Sequence, residues 1–248
     1  MNKKLEISRP IEGVALLTIN GAGKNNVAGT ELAQELDAAC EEINLDTAIR
    51  VAIITGAEGK AFCTGLPGRG KDSTYSLSGP VASLECPVIA AINGDATGVG
   101  LELALACDIR IASANVRLSL PYIEKGLIPS DGATQRLPRL IGQARAIELM
   151  LTGEAIWADE AYRIGLISRV TADKKLMPTV MEMGKEMAAK ATLPLKYCKE
   201  AVLKGLDMTL DQGLRLEGDL YFLLHTTEDR TEGITAFKEK RKPHFKGK

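Results

Sequence analysis

Asn93-Gly94-Asp95-Ala96-Thr97-Gly98-Val99-Gly100-Leu101-Glu102-Leu103-Ala104-Leu105-Ala106-Cys107-Asp108 is the stretch that decides the fold. It follows the apolar run Pro87–Ile92, so a strand ends, glycines turn the chain, and a helix starts. Leu101, Leu103, Ala104, Leu105 and Ala106 put apolar side chains on every side of that helix, which predicts burial. Its N-terminus offers free backbone N–H groups, a ready site for negative charge. Glu102 falls in the first turn. A carboxylate there is costly unless it is paired, solvated in a cleft, or used in chemistry. The alternative is a Glu held simply by the helix dipole.

Upstream, Val14–Ile19 and Val51–Thr55 are compact β-rich runs. Val14, Val51 and Val88 are spaced 37 residues apart, which predicts a repeated strand–helix unit. Leu32, Leu36, Ala39 and Ile43 share one helical face, so Thr30–Asn44 is predicted helical. Gly65–Pro80 is rich in Gly, Ser, Pro and charge and reads as a surface loop. Downstream, Asp108–Ser113 and Val116–Leu120 are strand-like. Helices are expected over Gly132–Leu140, Gln143–Leu151 and Ala158–Ile164, then a strand over Ile167–Val170. Four more helices follow, over Lys174–Ala191, Pro194–Leu206, Leu210–Thr226 and Glu228–Lys240. The expected organisation is an α/β core domain over 1–190 and a helical C-terminal region over 191–248.

Thirty-one Lys and Arg balance 32 Asp and Glu, which opposes a nucleic-acid or polybasic membrane partner. Aromatics are 4% of the 248 residues, so Ala, Leu, Ile and Val must build the core. No apolar run approaches the roughly 18 residues of a membrane span. Met1–Pro10 is charged and lacks the apolar stretch of a signal peptide. Five scattered cysteines without a CxxC pair read as reduced thiols, which predicts a cytoplasmic location. His225 and His244 are the only histidines, so no metal site is expected and a Ser-His triad has little to draw on.

A second segment, Leu120–Leu140, turns at Pro129-Ser130-Asp131-Gly132 and enters a helix. Asp131 is expected to cap that helix. Glu124 and Lys125 read as solvent-facing, and Tyr122 as a core or rim aromatic. Gly94, Gly98 and Gly100 also fit the dinucleotide turn of short-chain dehydrogenases. That reading is opposed by the turn's distance from the first strand and by the lack of a Tyr-xxx-Lys pair.

With these segments in place the chain resembles the enoyl-CoA hydratase/isomerase (crotonase) superfamily along nearly its whole length. The resemblance rests on Lys24–Val27, Val51–Gly56, Ala61–Gly65, Pro87–Gly94, Glu102–Ile109, Gly126–Pro129, Thr134–Leu137, Leu151–Gly153 and Glu232–Pro243. It implies a crotonase-like superhelix of repeated ββα units with a helical C-terminal trimerisation region. It implies a homotrimer or homohexamer acting on an acyl-CoA thioester, with coenzyme A as part of the substrate and no tightly bound cofactor. The shared chemistry is stabilisation of a thioester enolate by two backbone N–H groups, here those of Leu66 and Val99. Asn26, Val27, Ala61, Gly65 and Gly98 match the positions that hold the coenzyme A substrate, and Lys238 of a neighbouring subunit the one that reaches its phosphates.

Three departures bear on the reaction. The family's hydratases use two glutamates; Glu102 matches the first, and Tyr122 stands at the second. Leu66-Pro67 replaces the usual Ala-Asp, and the Gly65–Pro87 loop is short. The first reading is hydration or dehydration of an enoyl-CoA with Glu102 and Tyr122 in the site. Double-bond isomerisation, decarboxylation, C–C hydrolysis, or acyl-CoA binding with little catalysis remain alternatives.

Overall fold

A computed structural model describes residues 3–66 and 75–248. The chain opens with β1 (Leu5–Ile11), β2 (Val14–Ile19) and α1 (Thr30–Leu45). Three units of one pattern follow: β3 (Val51–Gly56), β4 (Cys63–Gly65), α2 (Ser78–Ala82); β5 (Val88–Ile92), β6 (Ala96–Gly98), α3 (Val99–Ala106); and β7 (Ile109–Ser113), β8 (Arg117–Ser119), α4 (Ala133–Ile141). The first strand of each unit joins a six-stranded sheet, and the second joins a four-stranded one. The repeat foreseen from the 37-residue spacing is therefore a ββα unit. The second strands hold three residues each, too few to show alternation in sequence.

In the large sheet β2, β3, β5, β7 and β10 (Arg169–Thr171) run parallel, with Val14 opposite Val51 and Ala52 opposite Val88. Every residue of β3 and β5 is buried, as expected of a parallel sheet covered on both faces. One face packs into the main core. The other carries Val51, Ile53, Ile89 and Ile111 against Leu176 and Val180 of α7 (Asp173–Ala188). β1 lies antiparallel at the edge; its side chains after Leu5 are largely exposed, so its charged sequence hid it.

The expected surface loop needs correction. Its residues 67–74 lie outside the described residues, but Leu77 and Ser78 are fully buried and α2 begins there. Between α4 and β10 lie α5 (Gln143–Thr152), β9 (Ile156–Trp157) and α6 (Ala158–Arg163). The C-terminal helices are α8 (Thr192–Gly205), α9 (Leu210–Leu224) and α10 (Glu228–Lys238). They bury little of themselves: α9 buries Leu220 alone, while Leu210, Leu214 and Phe222 are exposed. Among the described residues no helix is long and apolar enough to cross a membrane.

Candidate active site

β4 and β6 pair in parallel with Gly65 opposite Gly98. Leu66 and Val99 are therefore neighbours, one step past the ends of adjacent strands. Val99 is the first residue of α3, where backbone N–H groups lack intrahelical acceptors. Among the described residues neither the Leu66 nor the Val99 N–H has an acceptor in a turn, loop or cap. Close approach of backbones explains two glycines. Gly98 has φ +60°, and a Cβ there would overlap the Gly65 carbonyl oxygen. A Cβ at Gly100 would overlap the Cys63 carbonyl oxygen.

A cleft of about 630 Å³ opens beside these strand ends, lined by Lys24, Ala61, Thr64, Gly65, Leu66 and Thr97 among others. Arg117 and Asp95 also line it, joined by a salt bridge of 2.9 Å, and the Arg117 guanidinium lies 5.6 Å from the centre of the Trp157 ring. Cys63 adjoins the cleft residues, but burial pushes its thiol up to about 12, so it stays protonated at neutral pH and is no nucleophile.

Glu102 lies three residues beyond Val99 on α3 and is fully buried. Its Oε1 accepts the Asp131 N–H at 2.8 Å and the Ala133 N–H at 3.2 Å. Ala133 is the first residue of α4, so the Glu102 carboxyl occupies the N-terminus of a second helix. Its Oε2 accepts the hydroxyl of Tyr122, which is also fully buried. Burial is the largest influence on Glu102 and holds its pKa above the ordinary carboxylate value; the Tyr122 hydroxyl and the two N–H groups pull it back. Burial and the neighbouring Glu102 raise the Tyr122 phenol above its usual value, so it remains a donor.

Asp131 departs from the sequence reading. Gly132 stands at the cap of α4, and no side chain caps it locally. Glu102 does that work from α3, and the Asp131 carboxylate instead accepts the N–H groups of Leu77 and Ser78. Sequence reasoning missed this exchange. Its one available signal was a helix start whose cap position is glycine. Glu124 and Lys125 are exposed, as expected.

The expected residues divide. Leu66, Ala61 and Gly65 line the cleft; Glu102, Tyr122 and Val99 are buried behind its lining, and Asn26, Val27, Gly98 and Lys238 do not line it within this chain. Asn26 is fully buried at φ +51°, and its amide braces the frame of the site. Its Oδ1 accepts the Gly21 N–H, and its Nδ2 donates to the carbonyls of Ile19, Ala61 and Phe62. The Val27 N–H and carbonyl pair with Ala22. Lys24, Thr64, Thr97 and Arg117 are cleft residues that sequence reasoning did not single out.

The chain matches the family described as Enoyl-CoA hydratase/isomerase over residues 10–248. It is 42% identical over 248 residues to the putative enoyl-CoA hydratase/isomerase YngF of Bacillus subtilis, covering 95% of each chain. It is 35% identical to the crotonyl-CoA hydratase of Syntrophomonas wolfei, covering 94% of this chain and 95% of that one. Among solved structures, an enoyl-CoA hydratase from Bacillus anthracis superimposes with a TM-score of 0.93 at 36% identity, covering 99% of this chain and 100% of that one.

Proposed function

The chain belongs to the enoyl-CoA hydratase/isomerase family, and on that premise we propose that it adds water to, or removes it from, the double bond of an enoyl-CoA thioester. The observation that carries this reading is the placement of Glu102 one helical turn beyond Val99, whose neighbours Gly65 and Leu66 line the cleft at the ends of β4 and β6. The thioester carbonyl oxygen sits between the N–H groups of Leu66 and Val99. As water attacks the β-carbon, charge develops on that oxygen and the two donors stabilise it; each such donor is typically worth about 3 kcal/mol. Glu102 takes a proton from the attacking water and returns it to the α-carbon, so that H and OH add across the double bond. Tyr122 holds the Glu102 carboxyl and does not exchange the proton itself.

The acyl-CoA is bound along the cleft by Lys24, Ala61 and Gly65, and Gly98 allows the close strand approach that shapes it. Asn26 and Val27 serve by holding the Lys24–Ala28 turn. No tightly bound cofactor takes part. The helical region 191–248 packs against other copies of the chain in a trimer or hexamer. Support for this comes from Phe222 and Phe237, which are 73% and 85% exposed. In that assembly Lys238 of a neighbour reaches the phosphates. The five unpaired cysteines fit a cytoplasmic protein.

One observation favours a second reading. With Tyr122 beside a single carboxylate, a proton shuttled between two carbons needs no water, which is the chemistry of a double-bond isomerase. A panel of linear, cyclic and aromatic enoyl-CoA thioesters, with products weighed by mass spectrometry, decides between them. A gain of one water supports hydration. An unchanged mass with a moved double bond supports isomerisation. Binding without turnover on every member rejects both. Light scattering tests the assembly, and a clean monomer of the 26.6 kDa chain mass would contradict it.

A further inference from the structure

Asp131 has every polar group engaged. Its N–H donates to Glu102 Oε1 at 2.8 Å, and its carbonyl accepts Arg136 Nη1 at 3.0 Å. Its Oδ1 accepts the Ser76 hydroxyl at 2.5 Å. Its Oδ2 accepts the N–H groups of Leu77 at 2.9 Å and Ser78 at 2.8 Å. Leu77 and Ser78 begin α2, which packs on α3, the helix that carries Glu102. One residue therefore joins the starts of α2 and α4 to the carboxyl on α3. Gly132 follows at φ +104°, a left-handed conformation that glycine adopts without a Cβ clash.

We propose that Asp131 is a positioning residue for Glu102: its carboxylate ties the α4 turn to the start of α2, and the tied turn aims the Glu102 carboxyl at the reacting atoms. The inference rests on Glu102 being the acid–base group proposed above. Supporting hydrogen bonds of this kind hold reacting groups to within about 0.5 Å, and a misplacement of about 1 Å costs on the order of 100-fold in rate.

Asp131→Ala and Asp131→Asn separate the tie from the charge. In Asp131→Asn the amide oxygen can accept both backbone N–H groups, and the amide nitrogen can donate to the Ser76 oxygen. That variant keeps the tie and loses the charge. On an enoyl-CoA that the wild type turns over, Asp131→Ala should lower kcat by about 10- to 100-fold with KM changed less than about threefold. Asp131→Asn should keep kcat within about threefold. The groups facing the Glu102 carboxyl are Tyr122 and Asp131, with Tyr75 beside Tyr122 and Arg136 on α4. Loss of the Asp131 charge should therefore move the acid limb of the Asp131→Asn profile to lower pH. A purely structural role would not split kcat from KM in this way.

Wild-type kinetics in Asp131→Ala, on a substrate that Glu102→Gln no longer turns over, would overturn the proposal and leave the role of Glu102 intact. Equal losses in Asp131→Ala and Asp131→Asn would overturn it too. If Glu102→Gln keeps wild-type rates, the functional reading has failed instead. The tie is then judged by amide hydrogen exchange. Faster exchange in Asp131→Ala at both 77–82 and 131–137 supports it, and a change confined to 77–82 rejects it.

Discussion

The N-termini of α3 and α4 lie close together and are used in opposite ways. At α3 the first N–H, that of Val99, is left without a cap side chain, next to the cleft residues Gly65 and Leu66. At α4 the first N–H, that of Ala133, and the Asp131 N–H just before the helix are filled from within the protein by Glu102, a residue of α3. Both ends carry the same partial positive charge. The difference is occupancy: on the proposed reading, one end is kept for negative charge that develops during reaction, and the other is spent on orienting the group that moves the proton. An empty helix end stabilises a transition state only if it stays empty in the resting protein.

Four substitutions break or sharpen this contrast. Glu102→Gln removes the base and weakens the filling of α4. Turnover should fall by about 100-fold or more while acyl-CoA affinity, measured by calorimetry, persists. Gly98→Ala attacks the open end. The added Cβ overlaps the Gly65 carbonyl oxygen at a positive φ, so β4 and β6 must part and the Leu66 and Val99 donors lose their common aim. A loss of about 10- to 100-fold in kcat is expected.

Tyr122→Phe removes the third hydrogen bond to Glu102 and keeps the ring. About tenfold should be lost in rate, with affinity little changed. Its pH profile carries a sign. Glu102 must be ionised to accept a proton, so activity rises with pH through its pKa. The Tyr122 hydroxyl pulls that pKa down against burial, so in Tyr122→Phe the acid limb should move to higher pH. A limb that stays in place would show that the hydroxyl does not tune the base.

The smallest effect on rate is expected at the far end of α3. Buried Arg110 donates to the carbonyls of Leu166 at 2.8 Å and Cys107 at 2.5 Å, and more distantly to that of Ala104. Arg110→Met takes the donor from the Leu166 and Cys107 carbonyls, while the Ala104 carbonyl keeps the Cys107 N–H, at a cost of about 3 kcal/mol by denaturant unfolding. The rate per folded enzyme should hardly change, because the Glu102 end of the helix keeps its own contacts.

The sequence by itself determined the buried character of α3, the glycine turn before it, the 37-residue spacing of the parallel strands, and Glu102 as the residue to examine. Those features follow from local rules: apolar side chains all round a helix, β-rich runs at even intervals, a carboxylate among leucines and alanines. Only the tertiary structure decided what fills each helix end. Asp131 precedes α4 and looks like its cap, yet it serves α2, while α4 is capped by a residue 31 positions earlier than Ala133. Tyr122 looks like an ordinary buried aromatic until its hydroxyl is seen on Glu102, 20 residues away in sequence. The strands β4 and β6 are three residues each, too short to show a pattern, yet their register makes Leu66 and Val99 neighbours. A hydrogen bond needs its partners within about 3 Å, and separation along the chain does not encode that distance.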